Sequence, residues 1–97
     1  MVRATWHDTV LAESDDTVVV EGNHYFPRAA VRPEHLAENP SHTTCPWKGL
    51  ASYYDVVVDN AVNEGAAWYY PQPLAAAEHI TDHVAFWKGV EVTQTPG

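Results

Sequence analysis

Positive charges, cysteines and long apolar runs are all scarce in this sequence, and each shortage excludes a class of protein. The 97 residues include five lysines and arginines against 13 aspartates and glutamates, so the formal net charge is −8. Nucleic-acid backbones are bound by clustered lysine and arginine, so we predict no nucleic-acid partner. No stretch approaches the ~20 apolar residues that cross a bilayer, so we also predict no membrane partner.

The only cysteine, Cys45, limits the disulfide chemistry of the chain. A lone cysteine cannot form an internal disulfide, and an oxidising compartment would leave it free or force it to pair between chains. A reducing environment fits better, so we predict a cytoplasmic protein. A chain of this length accommodates one hydrophobic core, so residues 1–97 are predicted to form a single domain.

The residue pattern predicts a mostly β fold. β-Branched and aromatic residues cluster in short runs between turn residues, which is typical of strands. Extended segments are predicted at 5–13, 17–21, 24–27, 41–48, 51–59, 66–70, 84–87 and 90–92. Two short helices are predicted at 32–38, ending before Asn39-Pro40, and at 74–80. The first two strands are expected to form a hairpin and the tail 94–97 to fray. The predicted fold is a single compact antiparallel sheet domain with two short helices.

The segment 42–49, His-Thr-Thr-Cys-Pro-Trp-Lys-Gly, carries more reactive groups than a core strand requires. Alternation in an unbroken strand would place Cys45 and Trp47 on one face and His42 and Lys48 on the other. Lys48 is either a solvated charge or the partner of an anion, because cations are few in this acidic chain. The segment is the first candidate for a functional site.

A catalytic cysteine–histidine pair is one interpretation of this segment. It requires a bend at Pro46 that returns His42 to the sulfur, or a second histidine such as His24 from a neighbouring strand. Lys48 could also stabilise a thiolate if a turn carried its ammonium over Cys45. The alternative is a structural Cys45, since free cysteine is among the most buried residue types.

Aromatic residues are concentrated near this segment and in a second one, 67–73. Their faces could form the walls of a pocket for a flat ligand or a cation, and their hydroxyls could orient it. They could equally fill the core and a homodimer interface, where aromatics are also enriched. The residues concerned are Trp47, Tyr53, Tyr54, Trp68, Tyr69 and Tyr70.

His79 and His83 have the four-residue spacing of two metal ligands on one helical face. The predicted helix ends between them, and Glu78 is the only carboxylate on that helix that could join them. We therefore predict no metal site, and the sequence indicates no particular cofactor.

Three motifs together resemble a known family: Val-Val-Val-Glu-Gly-Asn-His-Tyr-Phe-Pro at 18–27, the segment 42–49, and Ala-Trp-Tyr-Tyr-Pro-Gln-Pro at 67–73. In this order and spacing they look like domain of unknown function 427, and the resemblance runs from about Val10 to Val92. It implies a small, mostly β cytoplasmic domain whose fold is of the β-tent kind. The positions that match the family pattern are His24, Tyr25, His42, Cys45, Trp47, Lys48, Trp68 and Tyr70.

The family's nucleotidyltransferase-like label lacks support in these residues. Nucleotidyl transfer uses paired acidic residues that hold metals against a triphosphate, and a group that grips the phosphates. The sequence has no Gly-rich phosphate loop and no close Asp-x-Asp pair. β-Tent relatives often hold zinc with cysteine pairs, and a chain with one cysteine cannot build that site.

Three hypotheses for function remain open at this stage. The first is a small-molecule-binding domain with an aromatic-walled pocket, in which Lys48 and His42 anchor an anionic or carbonyl-bearing ligand. The second is an enzyme that uses Cys45, His42 or His24 as nucleophile or acid/base. The third is a structural module that forms a homodimer. The ligand-binding residues predicted by the first are Tyr25, Trp47, Lys48, Tyr53, Trp68 and Tyr70.

Overall fold

A computed structural model describes residues 1–95 and arranges them mainly as antiparallel β-structure. The mostly β class is confirmed, although the strands divide into two sheets rather than one. The strands are β1 (Val2–Trp6), β2 (Thr9–Ser14), β3 (Val18–Val20), β4 (Asn23–Pro27), β5 (Leu36–Cys45), β6 (Gly49–Val58), β7 (Ala61–Tyr69), β8 (His83–Phe86) and β9 (Glu91–Gln94). A three-stranded sheet has the order β2-β1-β9 and a six-stranded sheet the order β3-β4-β8-β7-β6-β5.

The main core lies between the two sheets. Phe26 of β4 and Phe86 of β8 meet edge to face there, with ring centroids 5.7 Å apart. Small and branched residues of β1 and β2 cover them from the three-stranded sheet. The buried members of this core include Val2, Ala4, Leu11, Ala12, Val31, Val56, Val58 and Val84.

The opposite face of the six-stranded sheet is covered only in part. A 3-10 helix, Ala75–Ile80, packs on it through buried Ala77 and Ile80. This second, smaller cluster also contains Val20, Tyr25, Ala51, Tyr70 and Ala85. The remainder of the face carries aromatic side chains that reach solvent, and the candidate site lies among them.

Strand alternation explains how two adjacent tyrosines serve both faces. Tyr54 pairs with Ala67 and packs into the main core, whereas Tyr53 pairs with Trp68 and packs against the second cluster. Successive side chains of a strand point to opposite faces, so the Tyr53-Tyr54 dipeptide contributes one ring to each side of the sheet.

The N-terminal region departs from the predicted pairing. The predicted strand 5–13 is instead a hairpin of β1 and β2, with His7 and Asp8 at positive φ in the two-residue turn. β2 therefore pairs with β1, and β3 pairs with β4 across the turn Glu21-Gly22. The predicted hairpin between the first two segments is wrong, because the chain changes sheets between them.

The predicted helix at 32–38 is also wrong. Within it, only Pro33–His35 forms a 3-10 turn. Leu36 is already part of β5, where it pairs with Val56 of β6. Asn39-Pro40 does not end a helix but lies at a register shift within β5. Proline is tolerated there because β5 is an edge strand and a bulge leaves ladder positions unpaired.

The C-terminal third agrees more closely with the sequence. The predicted helix at 74–80 is the 3-10 helix Ala75–Ile80. The third 3-10 segment among residues 1–95, Arg28–Ala30, lies earlier in the chain and follows β4. Strands form at 83–86 and 91–94, but they belong to different sheets. Thr95 lies in the tail that the sequence predicts to fray, and it donates its N–H to the carbonyl of Met1 over 2.9 Å. Residues 96–97 of that tail lie outside the described residues. Within 1–95, no helix has the length and apolar character that a membrane crossing requires.

Candidate functional site

A cavity of about 290 Å³ opens on the incompletely covered face of the six-stranded sheet. We call it the aromatic cleft. Its walls combine four aromatic rings with one ammonium and one amide group. The lining residues are Asn23, Lys48, Tyr53, Trp68, Tyr70 and Trp87.

Trp68 forms the centre of the cleft wall because of its place in the sheet. It lies between Tyr53 of β6 and Ala85 of β8 in register. Its indole Nε1 donates to the hydroxyl of buried Tyr25 over 3.1 Å, and Trp87 meets it edge to face with centroids 5.7 Å apart. A neighbouring side chain therefore restricts each of these two indole rings, which reduces the conformational entropy that is lost when a ligand binds.

Lys48 reaches the cleft from the tight connection between β5 and β6. Cys45 pairs with Gly49, so the loop contains three residues. The carbonyl of Lys48 accepts the N–H of Leu74 over 2.9 Å, which ties this loop to the segment after β7. Gly49 has φ +111, and an added Cβ would lie 3.4 Å from backbone atoms of Gln72 and Leu74. Glycine is favoured here mainly because other residues rarely adopt this φ, and the neighbouring backbone leaves little spare room for a Cβ.

The Lys48 ammonium is buried and paired. Only 7% of the residue is exposed, and Nζ forms an ion pair with Glu21. Nζ also lies 5.4 Å from the ring centroid of Trp47 and 5.5 Å from that of Tyr70. Burial acts to lower the pKa of Lys48, but the hydrogen bond to Glu21 and neighbouring charges outweigh it, and the pKa is raised above its ordinary value. The group is a fixed cation at physiological pH.

Glu21 occupies an unusual backbone position to make this contact. It precedes Gly22 in the two-residue turn between β3 and β4, and both residues have positive φ. Glycine and asparagine are preferred in such turns, so a glutamate at φ +54 carries some strain. The hydrogen bond and charge of Lys48 lower the pKa of Glu21.

Tyr70 adds a neutral polar group to the same wall. It is buried, and burial raises the pKa of its phenol, while the charge of Lys48 opposes that rise. The phenol is therefore protonated at neutral pH. Next to the ammonium it can donate or accept a hydrogen bond from a ligand.

The structure brings together four of the residues predicted to bind a ligand: Lys48, Tyr53, Trp68 and Tyr70 all line the cleft. Tyr25 lies beneath the cleft as the buried hydrogen-bond partner of Trp68. Trp47 lies outside it, 38% exposed, with its ring against the Lys48 ammonium.

The three residues predicted for catalysis lie apart. Cys45 is partly buried and packs against the second cluster. His42 pairs with Ser52 on the opposite face of the sheet, and its Nδ1 lies 3.2 Å from the Ser52 hydroxyl. His24 Nδ1 lies 2.9 Å from the hydroxyl of Thr17. Strand alternation separates Cys45 from His42, because Pro46 follows the strand rather than bending it between the two residues.

Sequence reasoning missed Asn23, Trp87 and the role of Glu21. Glu21 and Trp87 lie at the ends of predicted extended segments, and Asn23 lies between two such segments, so none of the three stands out as a site residue. A signal for Trp87 does exist, since the tripeptide Trp-Lys-Gly occurs at 47–49 and again at 87–89. Among residues 1–95, no three histidine, cysteine or acidic side chains are grouped as metal ligands would be.

The fold and the cleft define a small, mostly β domain with one buried cation on an aromatic surface. The sequence matches the family model described as Domain of unknown function (DUF427) over residues 1–95. The chain therefore belongs to this family, as its three motifs predicted. No curated protein was found to match it.

Proposed function

We propose that this protein binds a small, flat molecule with an anionic or carbonyl group in the aromatic cleft. The observation that carries the proposal is the Lys48 ammonium, which is buried at the wall of a cavity lined by aromatic rings. Burying a charge is costly even when the charge is paired, as Lys48 is with Glu21, and the chain holds few cations. An ammonium has three N–H donors, and Glu21 accepts from one, so donors are left for a ligand.

The rings support a flat ligand. Trp68 and Trp87 stand at 76° to each other, and Tyr53 adjoins Trp68 in register. A planar group placed against one ring meets the edge of the next, which is the favoured geometry between aromatic systems. The volume of about 290 Å³ lies at the lower end of the range for ligand pockets and suits a ligand of one or two rings.

The first test is a titration with three probes that differ only in their polar group: benzoate, benzamide and benzyl alcohol. Quenching of tryptophan fluorescence reports binding, since two of the four tryptophans line the cleft. Benzoate is expected to bind most tightly, benzamide less tightly and benzyl alcohol least. Equal or absent binding of the three would contradict an anchoring role for Lys48.

Replacing the cation provides the matched comparison. Lys48→Met is expected to weaken benzoate binding by about 2 kcal/mol, roughly thirtyfold, because the charged contact is lost in a desolvated site. Arg3→Met removes the same charge from the three-stranded sheet, where Arg3 pairs with Glu13, and should leave binding unchanged. Lys48→Arg keeps the charge and should retain part of the affinity, which separates loss of the anchor from misfolding.

A substitution at Cys45 separates the binding proposal from the enzyme alternative. Cys45→Ser should fold and bind benzoate as the unchanged protein does, because the sulfur packs against the second cluster. An enzyme that uses this thiol would instead keep its fold and lose its activity.

The pH dependence of Cys45 alkylation, compared between folded and denatured protein, tests the same point. A thiolate that reacts well below pH ~8.5 requires a cationic neighbour.

The cytoplasmic location and the homodimer remain part of this proposal. The single cysteine supports a reducing compartment. Exposed Val19, Leu50 and Val62 supply apolar surface that a second copy could cover. Sedimentation equilibrium would measure the mass in solution, and a monomer at all concentrations would remove the dimer from the proposal.

A further inference from the structure

The two lysines of the sequence, Lys48 and Lys88, occur in the same Trp-Lys-Gly tripeptide. Each follows a tryptophan and precedes a glycine of positive φ. Each ammonium lies over the ring of its own tryptophan, at 5.4 Å for Lys48 and 5.1 Å for Lys88. The recurrence places a cation and an indole together twice in a chain that otherwise has three arginines.

A second cavity, of about 280 Å³, adjoins the aromatic cleft. Tyr53 and Trp87 line both cavities, so these two rings form the boundary between them. Lys48 lines the first cavity and Lys88 the second. The two lysines therefore line adjoining cavities that share the rings of Tyr53 and Trp87. The second cavity is also lined by the polar residues Asn39, Ser41 and Thr43 and by the acidic residue Glu64, whose charge opposes that of an anion and is offset by Lys88.

Lys88 is held in place by its turn. Val90 donates its N–H to the carbonyl of Trp87 over 3.3 Å, and Lys88 and Gly89 between them have φ of +54 and +89. The carbonyl of Lys88 accepts from the Asn63 amide over 2.7 Å. Its Nζ donates to the carbonyl of Glu64 over 3.3 Å, so the side chain lies back along the second cavity.

We propose that the ligand of the cleft carries two anionic groups, one at each end of a flat core, bound by Lys48 and Lys88. This inference rests on the proposed function, since it extends the same site across the rings of Tyr53 and Trp87. A compact dianion would leave one lysine unused, whereas a dianion with a planar spacer places apolar surface against the rings and charge at both ends. Lys88 is exposed, so it contributes mainly to selection between mono- and dianions.

The test compares dicarboxylates with the corresponding monocarboxylates. The probes are terephthalate against benzoate, and biphenyl dicarboxylate against biphenyl monocarboxylate, so that two spacer lengths are covered. At low salt, at least one dicarboxylate is expected to bind about tenfold more tightly than its monocarboxylate, because a second charged contact forms within the same complex. This advantage should shrink as ionic strength increases, since Lys88 is accessible to screening ions.

Lys88→Met identifies the source of the advantage. It should reduce the affinity for the dicarboxylate to within about twofold of the monocarboxylate, the statistical benefit of two equivalent ends, and leave monocarboxylate binding unchanged. Lys88→Arg keeps the charge at the same backbone position and should preserve most of the preference. Circular dichroism of both variants would verify that the turn and sheet are retained.

Each outcome distinguishes this inference from the proposed function. Monocarboxylates that bind through Lys48, with no preference for any dicarboxylate, would overturn the inference and leave the proposed function standing. A Lys88→Met variant that weakens mono- and dicarboxylates equally would also overturn it, because Lys88 would then only support the cleft. Failure of every carboxylate to bind would contradict both.

Discussion

The two faces of the six-stranded sheet differ in what covers them. One face is closed by the three-stranded sheet, and its contacts are almost all apolar, as between Phe26 and Phe86. The other face is covered in part by a 3-10 helix and carries rings, an ammonium and a phenol that reach the cleft. The same strands supply both faces, because alternate side chains of β6, β7 and β8 point to opposite sides.

Because of this difference, the closed face of the sheet supplies stability and the open face carries the proposed binding site. Burial of apolar surface at the closed face supplies most of the free energy of folding, since its side chains are removed from water on all sides. The open face contains groups whose burial opposes folding, such as the Lys48 ammonium. Substitutions at the closed face should therefore change stability, and those at the open face should change binding.

The largest expected effect is at the closed face. Phe26→Ala removes a fully buried ring and leaves a cavity, at a cost of about 3–5 kcal/mol in the free energy of unfolding. Urea denaturation followed by circular dichroism measures this loss. Val19→Ala on exposed β3 is the control and should change stability by less than about 0.5 kcal/mol. A small loss for Phe26→Ala would mean that the two sheets do not pack as described.

A smaller effect on stability is expected for Gly49→Ala, at a position that bears on both folding and ligand binding. Gly49→Ala places a side chain at φ +111 and against the backbone of Gln72 and Leu74, for a cost of about 1–3 kcal/mol. Gly89→Ala is also strained by its positive φ of +89, but an added Cβ there has no atom within 4 Å. The difference in stability between the two variants therefore reports mainly on the close contact at Gly49. Gly49→Ala should also weaken benzoate binding, because the segment it displaces is hydrogen-bonded to the Lys48 carbonyl. Equal losses of stability in both variants would show that the contact is relieved without cost.

The smallest effect on stability is expected at the open face, for Glu21→Gln, because Glu21 is half exposed and the amide oxygen of glutamine can still accept the hydrogen bond from Lys48. The pKa of Glu21 is lowered from about 4.5, so its ion pair stabilises the fold above that pH and this contribution disappears as the pH falls through the lowered pKa. The pKa of Lys48 is raised, so its contribution is fully present below about 10.5 and is lost only in stronger base.

Thermal unfolding of the unchanged protein and of Glu21→Gln, measured from acid to mild alkali, tests this dependence. The two midpoints should differ by a small, constant amount near neutrality and converge in acid. Glu21→Gln should at the same time bind benzoate more tightly, because the carboxylate that competes for Lys48 is gone. Midpoints that differ equally at all pH values, with unchanged affinity for benzoate, would mean that the ion pair of Glu21 and Lys48 contributes neither to stability nor to ligand binding.

Local sequence features predicted most of β6 but only the part of β7 from residue 66 onward. The β-branched run at 56–58 and the turn Asp59-Asn60 define most of the hairpin of β6 and β7, and the prolines at 71 and 73 end β7. These features are short range, so no knowledge of distant contacts is needed. The predicted pocket rings Tyr53 and Trp68 meet because this hairpin sets their register.

The errors arose where distant contacts decide the structure. Leu36 to Glu38 have a helical composition, but pairing with β6 holds them in β5. Tertiary pairing overrides helix propensity, which amounts to a fraction of a kcal/mol per residue. Glu21 and Lys48 are 27 residues apart in sequence, so no local pattern indicates their ion pair. Strand alternation predicts that His42 and Cys45 face opposite ways in an unbroken strand, and the sequence left open only whether the chain bends between them.

The most direct test of the open face as a binding site is the response of the tryptophan indole N–H signals to benzoate in two-dimensional NMR. The signals, assigned with single Trp→Phe variants, report on both sides of the sheet, since Trp68 and Trp87 line the cleft and Trp6 packs against the main core. Saturable shifts of the Trp68 and Trp87 signals, with Trp6 unchanged and with the response lost in Lys48→Met, are the expected result. Signals that stay still, or a Trp6 signal that shifts as much as the others, would contradict a ligand site on this face.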